Sequence, residues 1–186
     1  MSPLPVFETP EHELIKRILQ GEKEHFRVLV ERYQGAVWSL GMGFFRNAED
    51  TRDFVQDVFL KVFRSLGSFE GRSRFSTWLY RIAYNTAINS VKRRKEYQSL
   101  SGDFDIPDGD TPERQAMRRA GTEAVQEALK DLPERYRVCV DMFFFHDLPY
   151  PEIETITGFP VNTIKSHVFR AKALLRQRLG DFAEGD

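Results

Sequence analysis

Aromatic rings and cations alternate along Phe69 to Lys95 (FEGRSRFSTWLYRIAYNTAINSVKRRK), a segment in which Glu70 is the one acid. Its aromatic residues are Phe69, Phe75, Trp78, Tyr80 and Tyr84, and the cations interleaved with them are Arg72, Arg74 and Arg81. Flat rings can stack on unpaired bases, and cations can follow a phosphate backbone. The segment therefore has the residue types that binding of single-stranded DNA requires.

The same rings could instead form a hydrophobic core beside solvated cations. Different residues of the segment favour different interpretations. Trp78 stands at helical spacing with Leu79 and Ile82, which favours the core for this ring. Arg72 and Arg74 stand in a loop that contains Gly and Ser, which favours backbone contact.

A polar stripe follows on the same predicted helix, which spans Thr77 to Lys95. Asn85, Asn89 and Lys92 are spaced i, i+4 and i+7, so they share one side of that helix. An Asn side chain carries both a donor and an acceptor and can read base edges. We expect this stripe to face nucleic acid.

A second candidate surface lies near the C-terminus, where Glu152 to Thr157 and Asn162 to about Leu179 are predicted as two helices joined by a tight turn. Gly158 supplies the positive φ that ends the first helix, and Pro160 cannot continue it. Asn162 or Thr163 can cap the second helix, whose first-turn N–H groups would point toward a phosphate. The pattern is that of a helix-turn-helix.

The second of these helices divides into an apolar and a polar side. Ile164 and Val168 are placed to pack against Ile153 and Ile156 of the first helix. The residues expected on the solvent side are Thr163, Lys165, Ser166, His167, Arg170 and Lys172. Small polar groups followed by cations suit a major groove flanked by phosphates, whereas the alternative is a helical hairpin with a solvated basic face.

An acidic helix face precedes the first candidate surface. Asp50, Asp53, Gln56 and Asp57 lie opposite a wide apolar stripe. The stripe comprises Phe54, Val55, Val58, Phe59, Val62 and Phe63. The acids have no obvious partner within the chain, so this face is either solvated surface or a helix that docks on another protein.

Helical periodicity occurs on both sides of Tyr97 to Pro112 (YQSLSGDFDIPDGDTP), which has none and reads as a linker. No strand pattern persists, so we expect an all-α fold of two small helical domains joined by a flexible acidic linker. The net charge of −1 conceals two blocks without an acid, Arg72 to Lys95 and Lys165 to Arg178. Because phosphate binding depends on local potential, these blocks outweigh the total.

Several classes of protein are excluded by what the 186 residues do not contain. The four histidines are scattered without metal-ligand spacing, and there is neither a glycine-rich phosphate loop nor a serine nucleophile motif. We therefore expect no catalytic residue, no metal and no cofactor. An enzyme is therefore disfavoured.

The compartment follows from the apolar segments and the one cysteine. No apolar run approaches the roughly 18 residues that span a bilayer, and Met1 to Phe7 does not resemble a secretion signal. The lone Cys139 falls in the apolar run Val138 to Phe145 and is expected to be a buried small hydrophobe. We expect a cytoplasmic protein.

In this order the motifs resemble the extracytoplasmic function (ECF) group of bacterial sigma factors in the sigma-70 family, from about Glu11 to Leu179. Asp50 to Leu66 (DTRDFVQDVFLKVFRSL) resembles region 2.2, and Phe69 to Lys95 resembles regions 2.3 and 2.4. Leu129 to Tyr136 (LKDLPERY) and Pro151 to Leu179 resemble region 4. The resemblance implies a region 2 domain over 1–96, a linker over 97–112 and a region 4 domain over 113–186.

The resemblance also implies a function and partners. A sigma factor directs core RNA polymerase to specific promoters and assists DNA opening, and here it would bind the clamp and flap regions of the large subunits. Promoter DNA and an anti-sigma factor are the other implied partners, without membrane insertion. The alternative function is that of a helix-turn-helix transcriptional regulator that acts without being a polymerase subunit.

Site residues follow from the matched positions. The polymerase-binding residues would be Asp50, Asp53, Gln56, Asp57 and Leu60. The −10 element would meet Arg72, Ser73, Arg74, Phe75, Arg81, Asn85, Asn89, Lys92 and Arg93, with the loop Gly71 to Phe75 holding a flipped base. The −35 element would meet Asn162, Thr163, Lys165, Ser166, His167, Arg170 and Lys172, where His167 replaces a common Arg.

Overall fold

The computed structural model describes residues 9–101, 128–129 and 131–183. Seven α-helices occur within these ranges: α1 (Glu11–Leu19), α2 (Phe26–Phe45), α3 (Ala48–Ser65), α4 (Phe75–Ser101), α5 (Glu134–Val140), α6 (Tyr150–Thr157) and α7 (Val161–Ala183). Short 3-10 turns at Lys23–His25 and Leu66–Ser68 and a π-helix at Asp141–Phe145 complete them. The described residues contain no strand, which confirms the all-α prediction.

Helices α1 to α4 form an N-terminal unit around a shared apolar core. The largest fully buried side chains there include Leu14, Leu29, Leu40 and Leu79. Asn47 caps α3, because its side-chain oxygen accepts the backbone N–H of Asp50 at 2.8 Å. The core and the cap fix α3 and α4, which carry the acidic face and the polar stripe.

Helices α5 to α7 form a C-terminal unit, and its helix-turn-helix matches the predicted one. Gly158 ends α6 at a φ of 75°, and Pro160 stands immediately before α7. Ile153, Ile156 and Ile164 are all buried between the two helices. The turn therefore has the backbone geometry that the sequence predicts.

Capping of α7 differs from the prediction. The helix begins at Val161, so Asn162 and Thr163 lie inside its first turn and are not caps. The Val161 N–H donates instead to the Glu154 carboxylate at 3.2 Å. An acid of α6 thus takes one of the N–H groups that was expected to face a phosphate.

The two units pack directly on each other. One continuous cluster of buried side chains includes Leu79 and Ala83 of α4 together with Met142, Leu148 and Ile153 of the C-terminal unit. Cys139 is fully buried in the same cluster, as predicted, and burial raises the pKa of its thiol to about 12. No hydrophobic helix in the described ranges has the length needed to traverse a bilayer.

Helix α4 is longer than the sequence predicts. It begins at Phe75 and continues to Ser101, five residues into the segment whose composition predicts a linker. The remainder of that predicted linker, 102–112, and the helical periodicity predicted over 113–127 lie outside the described residues.

Candidate nucleic-acid and polymerase-binding surfaces

The loop before α4 presents cations to solvent but holds its aromatic rings inside. Arg72, Ser73 and Arg74 are exposed, and Arg72 pairs with Glu70 at 2.5 Å. Phe75, in contrast, is only 3% exposed and packs edge-on against Tyr33 and Phe69. Phe75 was expected to meet the −10 element, but the core of the N-terminal unit encloses its ring and leaves little of it accessible.

Trp78 also packs on this core, as the sequence predicts. Its ring lies 5.3 Å from that of Phe69 and 5.8 Å from that of Phe75. The aromatic residues of the loop therefore shape its inner side, and polar side chains cover its outer side.

A cavity of about 510 Å³ opens between the loop and the first turn of α1. Gly71, Ser73 and Phe75 form one wall, and Glu11 and Arg32 contribute to the other. Tyr33 donates a hydrogen bond to the Glu11 carboxylate, and Arg32 donates to the Thr9 carbonyl at 2.7 Å. These bonds fix the wall that faces the loop.

The polar stripe of α4 is exposed along its length. Arg81, Asn85, Asn89, Lys92 and Arg93 all face solvent. Buried Ala83 and Ala87 lie on the opposite side of the helix. The structure thus places all five predicted contact residues together on one accessible side.

The polar side of α7 begins with small groups and continues with cations. Asn162, Lys165 and Ser166 are exposed in its first two turns, and the Ser166 hydroxyl donates to the Asn162 carbonyl at 2.9 Å. Thr163 is half-buried. The start of the helix therefore exposes Asn162, Lys165 and Ser166 to solvent, as the sequence predicts.

Two cations further along α7 are exposed but already make contacts. Arg170 donates to the Tyr136 hydroxyl at 3.4 Å, and the Lys172 ammonium lies 4.7 Å from the centre of the Phe144 ring. Both can still reach outward, because each contact is made at the surface.

His167 is not on the solvent side, so that prediction is wrong. Its side chain is 8% exposed and lies between the rings of Tyr136 and Phe159, at 5.0 and 5.4 Å. Burial, with the nearby charges of Arg135 and Arg170, lowers the pKa of the imidazole. His167 supports the helix from within.

The acidic face of α3 is partly neutralised within the chain, contrary to expectation. Asp50 accepts hydrogen bonds from Arg94 at 2.7 Å and from Asn47 at 2.5 Å. Burial alone would raise the pKa of the Asp50 carboxyl, but these hydrogen bonds outweigh it and lower that pKa. Asp57 pairs with Lys61 at 2.8 Å.

The remainder of this face is open and adjoins an apolar groove. Asp53 and Gln56 are exposed, and Leu60 is 47% exposed. The groove measures about 610 Å³, and its apolar lining is Phe26, Val30, Val55, Phe59, Leu60 and Phe63. An exposed acidic edge beside an apolar groove is the geometry of a protein-docking surface.

The sequence did not predict two functional candidates, Glu152 and Glu154 of α6. Glu152 contacts the N-terminal unit through Thr77 and Arg74, and Glu154 caps α7. The position of Glu154, seven residues before Val161, could have been recognised as a capping distance across a tight turn. The contacts of Glu152 have no local signal, since they join residues 75 or more positions apart.

Each of the two units matches a known family model. The family model for sigma-70 region 2 matches residues 29–97, and the model for sigma-70 region 4 matches residues 122–175. The RNA polymerase sigma-H factor of Pseudomonas aeruginosa is 33% identical over 180 residues, which cover 91% of this chain and 93% of that protein.

Two further comparisons agree with these matches. The ECF RNA polymerase sigma-E factor of Haemophilus influenzae is 34% identical over 177 residues, covering 89% of this chain and 93% of that protein. The fold resembles that of the sigma factor RpoE in complex with the anti-sigma factor NepR from Bartonella quintana, with a TM-score of 0.71 and 24% identity over 83% of this chain and 96% of that one. The chain therefore belongs to the sigma-70 family of RNA polymerase sigma factors, within its extracytoplasmic function group.

Proposed function

We propose that this chain directs core RNA polymerase to specific promoters and assists the opening of the DNA there. One observation carries the proposal: α4 and α7, in different units, each present an exposed row of polar and cationic side chains. The α7 surface would read duplex DNA at the −35 element, and the α4 surface would hold DNA at the −10 element. Activity of this kind needs no catalytic residue and takes place in the cytoplasm.

The −10 surface offers a place for one unpaired base. The cavity behind the loop falls within the 300–1,000 Å³ that small-molecule sites occupy. Arg72 and Arg74 stand beside it and would contact the backbone of the captured strand. Asn85, Asn89 and Lys92 would contact the junction with the duplex.

The energy of base capture is close to balanced. Unstacking a base costs a few kcal/mol, and stacking with polar capture returns roughly 1–3 kcal/mol per base. Contacts between polymerase and the DNA backbone must therefore supply the remainder. This is why we assign the opening of DNA to the assembly of this chain with core polymerase.

The docking surface for polymerase is the open part of the α3 face with its apolar groove. Asp53, Gln56 and Asp57 provide the polar rim, and Leu60 with Phe63 provides the apolar centre. Asp50, whose two carboxylate oxygens accept from Arg94 and Asn47, orients the helix. An anti-sigma factor would bind by competing for this surface or for the DNA-binding ones.

A pull-down with core polymerase tests this assignment. Asp53→Arg combined with Asp57→Arg should weaken binding, because two cations replace the acidic rim. Glu13→Arg combined with Glu24→Arg is the matched control, since both residues are exposed elsewhere on the N-terminal unit and the change in net charge is identical. Full binding by the first double variant would exclude this docking face.

Transcription in vitro separates the proposed function from its alternative. A sigma factor should give defined start sites from core polymerase on fragmented genomic DNA, and none without polymerase. Tight binding of a palindromic duplex with no effect on transcription would instead identify a regulator that is not a polymerase subunit.

A further inference from the structure

The contact between the two units lies beside the loop that is proposed to capture the −10 strand. Glu152 of α6 accepts a hydrogen bond from the Thr77 hydroxyl, and its other carboxylate oxygen lies 3.7 Å from Nε of Arg74. The Glu152 side chain is 24% exposed, whereas that of Arg74 is 69% exposed. A carboxylate of the C-terminal unit thus lies against a cation and a hydroxyl that border the loop.

A second polar contact joins the units, between α2 and the segment that follows α5. The Ser39 hydroxyl of α2 donates to one oxygen of Asp141 at 2.6 Å, and His146 bonds the other oxygen at 3.1 Å. The ring of His146 lies 4.8 Å from that of Tyr80 on α4. Asp141 and His146 are only 13% and 10% exposed, so this contact is shielded from water.

Apolar packing connects these two polar contacts. Leu148 and Ile153 of the C-terminal unit belong to one buried cluster with Leu79 and Ala83 of α4. The Arg137 side chain covers the α2 backbone, where a Cβ on Gly43 would lie 3.7 Å from its Nε. The interface has the composition of a folded interior, with polar groups that are paired across it.

A carboxylate and a phosphate accept hydrogen bonds from the same donors. An Arg guanidinium beside a hydroxyl is a common phosphate-binding pair. Glu152 therefore lies where a DNA phosphate would lie if Arg74 held the backbone, and the two anions exclude each other by charge and by space.

The closed arrangement is also too small for a whole promoter. The positions after which the −10 and −35 elements are named differ by about 25 base pairs, which is roughly 85 Å at 3.4 Å per step. A compact chain of this length has a radius of gyration of about 16 Å. The units must separate before both elements can be bound.

We propose that Glu152 is an internal competitor of the promoter: it holds the free chain closed by occupying the phosphate position at Arg74 and Thr77, and polymerase binding releases it. The inference rests on the proposed function, because it takes Arg74 as a contact of the −10 strand. The exposed stripe of α4 remains accessible in the closed form, so the block acts at the loop and not along the whole helix.

Binding of DNA by the free chain tests the competition. Glu152→Gln keeps the shape of the side chain and removes its charge, and it should raise the affinity for a fluorescein-labelled single-stranded DNA of mixed sequence by roughly tenfold at low salt. Glu24→Gln is the matched control, since it removes one exposed acid that does not line the cavity at the loop and should leave the affinity near that of the unaltered chain. Equal affinities of the two variants would overturn the proposal.

Separation of the units is measured by energy transfer between dyes at Gln34→Cys and Gln177→Cys. Both positions are exposed, and the buried Cys139 does not compete for label. Transfer should be high in the free chain and fall when core polymerase is added. High transfer in the polymerase complex would overturn the proposal.

The two proposals fail differently. A chain that supports no transcription with core polymerase contradicts the proposed function. A chain that supports transcription, but whose Glu152→Gln variant binds single-stranded DNA no better than Glu24→Gln, contradicts only the internal competition. Far-UV circular dichroism of each variant confirms that the helices are retained.

Discussion

His167 shows how one residue can match a pattern and still belong to the interior. It stands between polar Ser166 and buried Val168, and helical spacing alone allows either side. The deciding partners, Tyr136 and Phe159, come from α5 and from the turn before α7, so periodicity within α7 could not identify them. Spacing along a helix indicates the direction in which a side chain points, but it does not show which neighbouring elements cover that side chain.

Burial of His167 predicts a pH dependence of stability. Its pKa is lowered in the folded chain, whereas the unfolded chain titrates near 6.5. The unfolded chain therefore binds protons first, and the free energy of unfolding should fall as the pH falls below about 6.5. His167→Phe keeps a ring between its neighbours and cannot titrate, so urea unfolding of this variant should depend less on pH between 7.5 and 5. An equal dependence would contradict the burial.

Lys165 is the exposed cation closest to the start of α7, and it should contact a phosphate. Lys165→Ala should lower promoter affinity of the polymerase complex and reduce the slope of log affinity against log salt by about one contact. Lys16→Ala, an exposed change on α1, serves as the control. An unchanged slope in a binding titration would remove Lys165 from the interface.

At the scale of elements, the crossing of α2 and α3 depends on Gly41, which has no side chain. A Cβ on Gly41 would lie 2.6 Å from Cδ1 of Phe54 and 2.9 Å from Cγ2 of Thr51. Both neighbours are buried and cannot move outward freely. The absence of a Cβ at Gly41 therefore allows α3 to pack closely on α2.

Gly41→Ala should destabilise the chain by about 1–3 kcal/mol through overpacking. Gly35→Ala on the same helix meets nothing within 4 Å, and it should stabilise the chain by about 0.5–1 kcal/mol because alanine favours the helix. Chemical denaturation of both variants measures the difference. Effects of the same sign would contradict the close approach.

Most elements could be predicted from the sequence, since they depend on local signals. The apolar stripe of α3, the turn at Gly158 and the exposed stripe of α4 all follow from residue spacing. The ends were less predictable: α4 extends to Ser101 through a composition that is typical of linkers, and α7 begins one residue early because Glu154 caps it from α6.

At the scale of the whole molecule, the sequence predicts two domains but not their contact. The side chains of Leu148 and Ile153 would satisfy a core within their own unit equally well. Their packing on α4 depends on surface shapes that only the folded units possess. The contact of Glu152 with Arg74 was therefore outside the reach of motif reasoning.

The shared core predicts that both units unfold together. Trp38 and Trp78 report on the N-terminal unit, and the thiol of Cys139 reports on the C-terminal unit, where burial keeps it protonated and unreactive. The guanidinium midpoints from tryptophan fluorescence and from thiol labelling should coincide. Two separated midpoints would show that the interface does not couple the units.

Helix α4 begins at the loop of the proposed −10 surface and forms the C-terminal end of the N-terminal unit. Its 27 residues extend from the loop at Phe75 to Ser101 without a break, about 40 Å at 1.5 Å per residue. Because the helix is continuous, it fixes the distance along the chain between the loop before Phe75 and Ser101. Under the proposed function, a strand held at the loop would therefore have a defined separation from Ser101.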